Sequence, residues 1–509
     1  MIAKRRITTK SRKTVSSADL VPTKDNDIKS STLRDFGRSR MTTYAISVNL
    51  DRSVPDMYDG LKPVQRRNMY GTAKEAFSSF EKTARIVGVV LGRYHPHGDK
   101  SISDAITTMV NHPTSVFYGK GNWGNMVDGA AAMRYTNMQL SAYGQTFFDP
   151  NYLHASVTSF VPNYDNKEVE PVTLPAQLPN VILNGGEGIG VGITTLIPTF
   201  TPDSVILILE RMLKGEVLAP TDYARTLKFA HKWGGQLLKT PENKKGWMGL
   251  FTGSETQVKF ESELQVELDR KKLIINDWPP GTNLQKFVEK VRAMPETLRC
   301  FNSKGSATLT IECKPAYNLT QFEKYVEKIR LATRKSVSFK LNVTKRKAQI
   351  LDGVTTFKTE FLALSVPELL KQWLVMRIEL ERKSLAYRQT KQRAAIAYSE
   401  LLIYACDKLD IIVKALRAKD PDMFLTKNLE IDGDQAKQIL ELRVRQLSKL
   451  DQEVLKLKLK EQRLVLKQLD EWLKRPRSKV LLDLAEVKAA ILKDRSFQAN
   501  KDTRKLKVI

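Results

Sequence analysis

The chain has 509 residues, a formal net charge of +27 and a sequence pI near 9.7. Its 41% hydrophobic content can fill cores in three or four domains, and the basic excess suits a polyanionic partner such as nucleic acid. No apolar run approaches the ~18 residues of a membrane span, and Cys300, Cys313 and Cys406 lie too far apart for a zinc ligand set, which reads as a soluble, cytoplasmic protein with reduced thiols.

Residues 1–35 form a basic arm, MIAKRRITTKSRKTVSSA having no acid before Asp19. It has too few large apolar residues for the amphipathic face of a transit peptide. Two readings stand: an arm lying along DNA phosphates or against a partner, and a solvated tail.

Residues 36–145 alternate helix and loop signals. Pro63 fits a first helical position, with Arg66 and Arg67 early in that helix. A second helix is expected over 79–91. The turn HPHGDK follows, and Ser101 with Asp104 has the spacing of a capping box that opens a third helix. This is a winged-helix DNA-binding pattern. Lys62, Arg66, Arg67, Arg93, Lys100, Lys120 and Arg134 can surround a phosphate. His95 and His97 flank Pro96, but no carboxylate or cysteine cluster completes a metal site, so phosphate hydrogen bonding by one of the two is the expectation.

The stretch 121–137 reads GNWGNMVDGAAAMRYTN. Small residues 129–132 let the backbone approach a bulky ligand. Tyr135 offers a phenol nucleophile, and Arg134 a planar cation matched to phosphate oxygens. Taken alone, a tyrosine is more often a packed ring with a satisfied hydroxyl.

Residues 146–345 read as an α+β module. GEGIGVG resembles a phosphate loop but lacks a following Lys-Ser/Thr; read alone, its Ile189 is a core strand residue. TQVKFESELQVELD, KLIIND, ATLTIEC and SVSFKLNV read as strands, LQKFVEKVRAM and TQFEKYVEKIRLA as amphipathic helices. In 346–475, Val366, Trp373, Leu380, Tyr387, Ala394 and Leu401 repeat every seven residues. So do Leu450, Leu457 and Leu464, and likewise Leu459, Leu466 and Leu473. The repeats predict a long antiparallel coiled coil with a helical knob at its tip. Residues 476–509 add a helical stretch and a basic tail.

GLKPVQRR, YHPHGDKSISDA, GKGNWGN and AAAMRYT follow one another in a single basic segment. Together they resemble the DNA breakage–reunion subunit of type IIA topoisomerases, the gyrase A and topoisomerase IV A family, over about 40–475. The resemblance implies an α+β multidomain chain: winged-helix domain (36–145), tower domain (146–345), and coiled-coil arm with helical dimerisation gate (346–475). Tyr135 would form a transient 5′-phosphotyrosyl bond and Arg134 would stabilise the transition state. Arg52, Lys62, Arg66, Arg67, His95, His97, Lys100 and Lys120 would face DNA, with Ile189 wedged between base steps. The protein would act as a homodimer on double-stranded DNA. A gyrase B-like partner would bind ATP and Mg²⁺ and complete a heterotetramer, since no phosphate loop or acidic triad stands in this chain. With no β-propeller expected after 476, relaxation or decatenation is favoured over supercoiling, and analogy suggests a phage enzyme. Where bacterial relatives carry a serine that helps hold quinolones through a metal–water bridge, this chain has Lys100, expected to pair with Asp104 and weaken that bridge. An architectural DNA-binding protein and a tyrosine recombinase are the competing classes; the paired helical arm and the ordered motifs argue against both.

Overall fold

The computed structural model describes residues 32–302, 307–351, 354–441 and 449–499. Most of the basic arm, the 442–448 part of the expected gate and the tail after 499 lie outside the described residues. The rest is a mixed α/β chain of small antiparallel sheets, short helices and two long helices. No described helix is long and apolar enough to cross a membrane.

Helix α1 (Leu33–Val48) opens at Thr32, whose Oγ1 accepts from the Asp35 N–H at 3.1 Å. It runs into one π-helical turn, Asn49–Ser53. Helix α2 (Pro63–Glu75) begins where Pro63 predicts, and Gln65 Oε1 accepts from the Lys62 N–H. Three short strands, β1 (Glu81–Lys82), β2 (Phe117–Lys120) and β3 (Asn137–Leu140), form a sheet in the order β1–β3–β2. Helix α3 is Thr83–Arg93, so it begins later than the 79–91 expectation. The reason is the ladder: Glu81 and Lys82 pair with Met138 and Asn137. Helix α4 (Asp99–Val110) starts two residues before Ser101. The expected Ser101–Asp104 capping box is absent, because Ser101 Oγ donates to the carbonyls of His97 and Gly98 at 2.9 Å.

On α3 and α4, Ile86, Val87, Val90, Ile102, Ile106 and Met109 are buried at helical spacing. They pack with Met69, Met138 and Leu140 in a core that continues into 174–183, the helix Pro202–Leu213 and Trp373 of the long helix. A five-stranded sheet joins Gly186–Ile189, Thr194–Ile197, Lys335–Lys340, Glu255–Glu261 and Gln236–Leu237 in that order. The stretch expected as one strand, TQVKFESELQVELD, is split between sheets. Glu255–Glu261 lies in the first and Gln265–Glu267 in a separate four-stranded sheet. That second sheet packs under helices Leu284–Arg292 and Leu319–Thr333 around its own core, which buries Cys300 and Cys313.

The long helix Val366–Asp407 has 42 residues and opens on a capping box between Ser365 and Glu368. The helix Lys449–Lys474 packs antiparallel along it. Gln389 Nε2 donates to Asp470, Gln392 Nε2 to the Gln462 carbonyl at 2.9 Å, and Arg463 pairs with Glu400 at 2.7 Å. Of the two leucine repeats on the return helix, Leu459, Leu466 and Leu473 are partly covered, and the side chain of Leu450 lies outside the described residues. Leu457 and Leu464 are 66% and 62% exposed. A two-residue offset is a rotation of about 200°, so both repeats cannot face one partner helix. At the tip, Leu409–Ala415, Pro421–Leu429 and Gly433–Leu440 form a small helical body with its own core.

The helix Pro476–Ala499 returns to the first core through Val480, Leu484, Val487 and Ile491. Its Asp494 accepts from the backbone N–H groups of Ala142 and Tyr143 at 2.8 Å and from the Tyr118 hydroxyl. Arg377, on the long helix, is wholly buried. It donates to Glu381 (2.8 Å), Asp483 (3.2 Å) and Gln177 (2.6 Å). A buried charge stands only when paired and hydrogen-bonded. Arg377→Ala should therefore lower stability by about 3–5 kcal/mol by stranding the buried Glu381 carboxylate, since Asp483 keeps Lys479. The urea midpoint measures it, and an unchanged midpoint would refute the assignment.

Candidate nucleophile and nucleic-acid interface

The connection from β2 to β3 is long but built. Gly121 and Gly124 hold φ of +101° and +79°, where side chains are strained. Asn125 Oδ1 accepts from the Val127 and Asp128 N–H groups at 2.7 and 2.8 Å. The Ala131 N–H reaches the Asn122 carbonyl at 3.0 Å. Met133–Tyr135 then makes one 3₁₀ turn. Thr136 locks it to the start of α3: its carbonyl accepts from the Thr83 N–H at 3.0 Å, and the two hydroxyls bond at 2.9 Å.

Tyr135 at the end of this turn is 65% exposed, and no hydrogen bond to its phenol is formed among the described residues. A packed ring with a satisfied hydroxyl is thus not what the structure shows. The Arg134 guanidinium carbon lies 4.8 Å from the Tyr135 ring centroid. Lys120, exposed at the end of β2, sets its ammonium 3.9 Å over the Phe80 ring.

A second group of expected residues gathers around the π-helical turn. Arg52 is exposed on it. Ile189 stands 82% exposed at the end of the hairpin strand Gly186–Ile189, so it projects from the strand instead of filling a core. Two side chains staple that hairpin to the turn. Ser53 Oγ donates to the Ile189 carbonyl at 3.0 Å, while Asn49 donates to the Val191 carbonyl (3.1 Å) and accepts its N–H (2.9 Å). A Cβ on Gly188 would sit 1.9 Å from the Ser53 carbonyl oxygen, so only glycine permits this approach. Lys62 Nζ donates to the Glu187 carbonyl on the same hairpin. Burial lowers its pKa, against the opposing pull of Glu187.

The adjacent arginines of α2 part company. Arg66, expected at the phosphate surface, is buried with its fork on Asp59, Nε–Oδ2 2.6 Å and Nη2–Oδ1 3.0 Å. Arg67 is partly exposed and donates twice to Glu170, both at 2.7 Å, with Nη1 3.0 Å from His95 Nδ1. The His95 and His97 rings lie 4.7 Å apart. Burial first, then the charge of Arg67, holds the His95 pKa down to about 4. Nearby, Glu168 pairs with Lys74 (3.1 Å), Arg93 (3.5 Å) and the Tyr94 hydroxyl (2.7 Å). Lys100 is exposed in the first turn of α4 and forms no ion pair with Asp104.

Sequence reasoning missed Asn49, Ser53, Asp59 and Glu170. Asp59 and Asn49 sit close to expected residues, but no local pattern marks them. Glu170 is separated from Arg67 by 103 positions and had no signal at all. Among the described residues no three His, Cys, Asp or Glu side chains converge as metal ligands.

The family model that matches, over residues 52–485, is the one for the A subunits of DNA gyrase and topoisomerase IV. The chain is 30% identical over 452 residues to the A subunit of DNA topoisomerase 4 from Salmonella typhimurium, covering 82% of this chain and 56% of that protein. It is 30% identical over 483 residues to the A subunit of DNA gyrase from Staphylococcus epidermidis, covering 90% and 52%. Against the chloroplastic/mitochondrial DNA gyrase A of Nicotiana benthamiana it is 28% identical over 483 residues, covering 89% and 49%. The chain spans about half the length of the curated relatives it matches. With the model matching most of the sequence, the chain belongs to the gyrase A and topoisomerase IV A family.

Proposed function

We propose that this chain is the DNA cleavage–religation subunit of an ATP-dependent type II topoisomerase, with Tyr135 as its nucleophile. The observation that carries the reading is the exposed, unbonded phenol of Tyr135 beside Arg134, inside the segment matched to the family. The phenol oxygen attacks a backbone phosphorus. A P–O(tyrosine) bond forms, the P–O3′ bond breaks, and the proton lost by the phenol is matched by one taken up at the 3′ oxygen. The reverse attack by the 3′ hydroxyl reseals the strand, so no phosphodiester energy is lost to water. Arg134 stabilises charge on the crowded phosphorus. An ordinary phenol has a pKa near 10, so about one in a thousand is ionised at pH 7, a deficit of about 4 kcal/mol that cationic neighbours must offset.

In this reading α2–α4 with the β1–β3–β2 sheet are a winged helix, and the β2–β3 connection is its wing. Arg52, Lys62, His95 and His97 meet the duplex with Lys100 and Lys120, and Ile189 enters a base step. Arg66 supports from within. The chain works as a homodimer. The exposed Val413, Leu416 and Met423 at the arm's tip suit contact between copies. ATP and Mg²⁺ belong to a gyrase B-like partner.

Tyr135→Phe should abolish covalent protein–DNA adducts of the reconstituted enzyme and leave DNA affinity within a few fold. Adducts from the variant on a denaturing gel would remove Tyr135 from the mechanism. Arg134→Ala should slow cleavage by about 10²–10³. Ile189→Ala should reduce DNA bending in a fluorescence-transfer assay, because the wedge is lost while its stapled hairpin stays; unchanged bending would return Ile189 to a passive role. Lys100→Ser should raise quinolone-stabilised cleavage, since a hydroxyl can accept from a metal-bound water and an ammonium cannot. Equal trapping of both proteins would show that the drug needs no such bridge.

A further inference from the structure

The histidines of the HPHG turn are held by more than their own backbone. Arg67 gives Nε and Nη2 to the two oxygens of Glu170, each at 2.7 Å, and turns Nη1 to His95 Nδ1 at 3.0 Å. A guanidinium has only donors, so in this contact Nδ1 is the acceptor. A neutral imidazole with a bare Nδ1 carries its hydrogen on Nε2. Burial first, then Arg67 from α2, the neighbouring His97 and Arg52 from the π-helical turn, hold the His95 pKa down to about 4, so the ring is neutral at pH 7. Glu170 reaches the ring only through Arg67. Its neighbour Glu168 is already committed to Lys74, Tyr94 and Arg93.

We propose that Glu170 is a positioning residue for DNA recognition: by fixing Arg67 it fixes His95 as the Nε2–H tautomer, and that imidazole, not the guanidinium, is the donor offered to a DNA phosphate. The inference rests on the reading that this face meets DNA. Its physical basis is the doubly occupied fork. Three of the five N–H groups of Arg67 are committed and Glu170 neutralises its charge; to turn its Nε/Nη2 face to a phosphate it must leave Glu170, and the freed carboxylate would then stand beside the phosphate with like charge. A neutral His95 donates without displacing anything. The competing view makes Glu170 a mask that DNA pulls away from Arg67, and it predicts opposite effects.

The test combines two measurements. In the full chain labelled with ¹⁵N-histidine, the unmodified protein should show His95 as a single Nε2–H tautomer at pH 7, and Glu170→Gln should show a mixture. The glutamine keeps the side chain's shape, and an unchanged melting temperature certifies the fold. With the gyrase B-like partner restored, Glu170→Gln should cut covalent cleavage roughly tenfold while DNA affinity stays within about twofold, as losses of orienting groups do. In a His95→Ala background, Glu170→Gln should cost less than about twofold, because the residue it positions is gone. Cleavage and affinity that both rise in Glu170→Gln would establish the mask and overturn the proposal. So would an unchanged tautomer, or full multiplicative losses in the double variant. If the unmodified enzyme forms no Tyr135 adduct, the cleavage function itself falls, and the tautomer comparison still decides the role of Glu170.

Discussion

The buried carboxylate of Asp59 is the point to which the proposed interface is tied. Its Oδ2 accepts from Arg66 Nε at 2.6 Å and from the Leu174 N–H at 2.9 Å. Its Oδ1 accepts from Arg66 Nη2 and the Leu61 N–H, both at 3.0 Å. Two opposite charges out of water are stable only when geometry and hydrogen bonds are this complete. The same short segment receives the long helix, since Trp373 Nε1 donates to the Tyr58 carbonyl at 2.9 Å and the two rings stack with centroids 6.1 Å apart. Gly60, at φ +67°, lets the Val181 backbone pass where a Cβ would lie only 2.3 Å from its nitrogen. The crowding has a cost next door. Burial first and Asp59 second push the Asp56 pKa up to about 6.

That anchor sets register at a distance. Arg67 follows Arg66 and so points about 100° around α2. Leu174, held by Asp59, lies four residues after Glu170 on the same strand exit. Once Arg66 and Leu174 share one carboxylate, Arg67 and Glu170 are brought opposite each other. The pairing of Arg67 with Glu170 is thus inherited from the packing of Arg66 with Asp59. A change at Asp59 would be felt at His95 without touching it.

What was legible in the sequence follows from the range of each interaction. Pro63 and the seven-residue repeat from Val366 depend on neighbours within a few residues, and spacing revealed them; the Arg134–Tyr135 pair stood out only through the resemblance of its surrounding motifs to a family. Arg66 and Arg67 are chemically alike and adjacent, so spacing could not say which is buried. Their acids lie seven residues back and 103 residues on. The leucine repeats show the same limit. Leu457 and Leu459 belong to equally regular sevens, and only the position of the facing helix separates a covered stripe from an exposed one. The late start of α3 and the missing capping box at Ser101 have one cause: backbone groups that local rules assign to a helix end were taken by a strand partner and by side-chain bonds to carbonyls. Ile189 was unreadable for a different reason, because its exposure depends on Asn49 and Ser53 stapling a hairpin 136 to 142 positions away.

The distribution of charge also separates the interface from the composition. A formal charge of +27 suggests a surface that grips phosphate everywhere. Around the HPHG turn the opposite holds: Glu170 neutralises Arg67, Glu168 binds Lys74 and Arg93, and Asp59 removes Arg66 altogether. The expected cations without an ion pair to a carboxylate among the described residues, and exposed to solvent, are Arg52, Lys100, Lys120 and Arg134. Each phosphate neutralised by a free cation releases counterions and steepens the salt dependence of binding, whereas a cation already paired must first give up its acid. In the proposed DNA interface the centre of this surface would therefore contribute direction through fixed hydrogen-bond donors, and the flanking cations attraction. If Tyr135 is the nucleophile proposed above, it must meet one phosphorus at one distance and needs the first as much as the second, since misplacement by about 1 Å can cost on the order of 10² in rate.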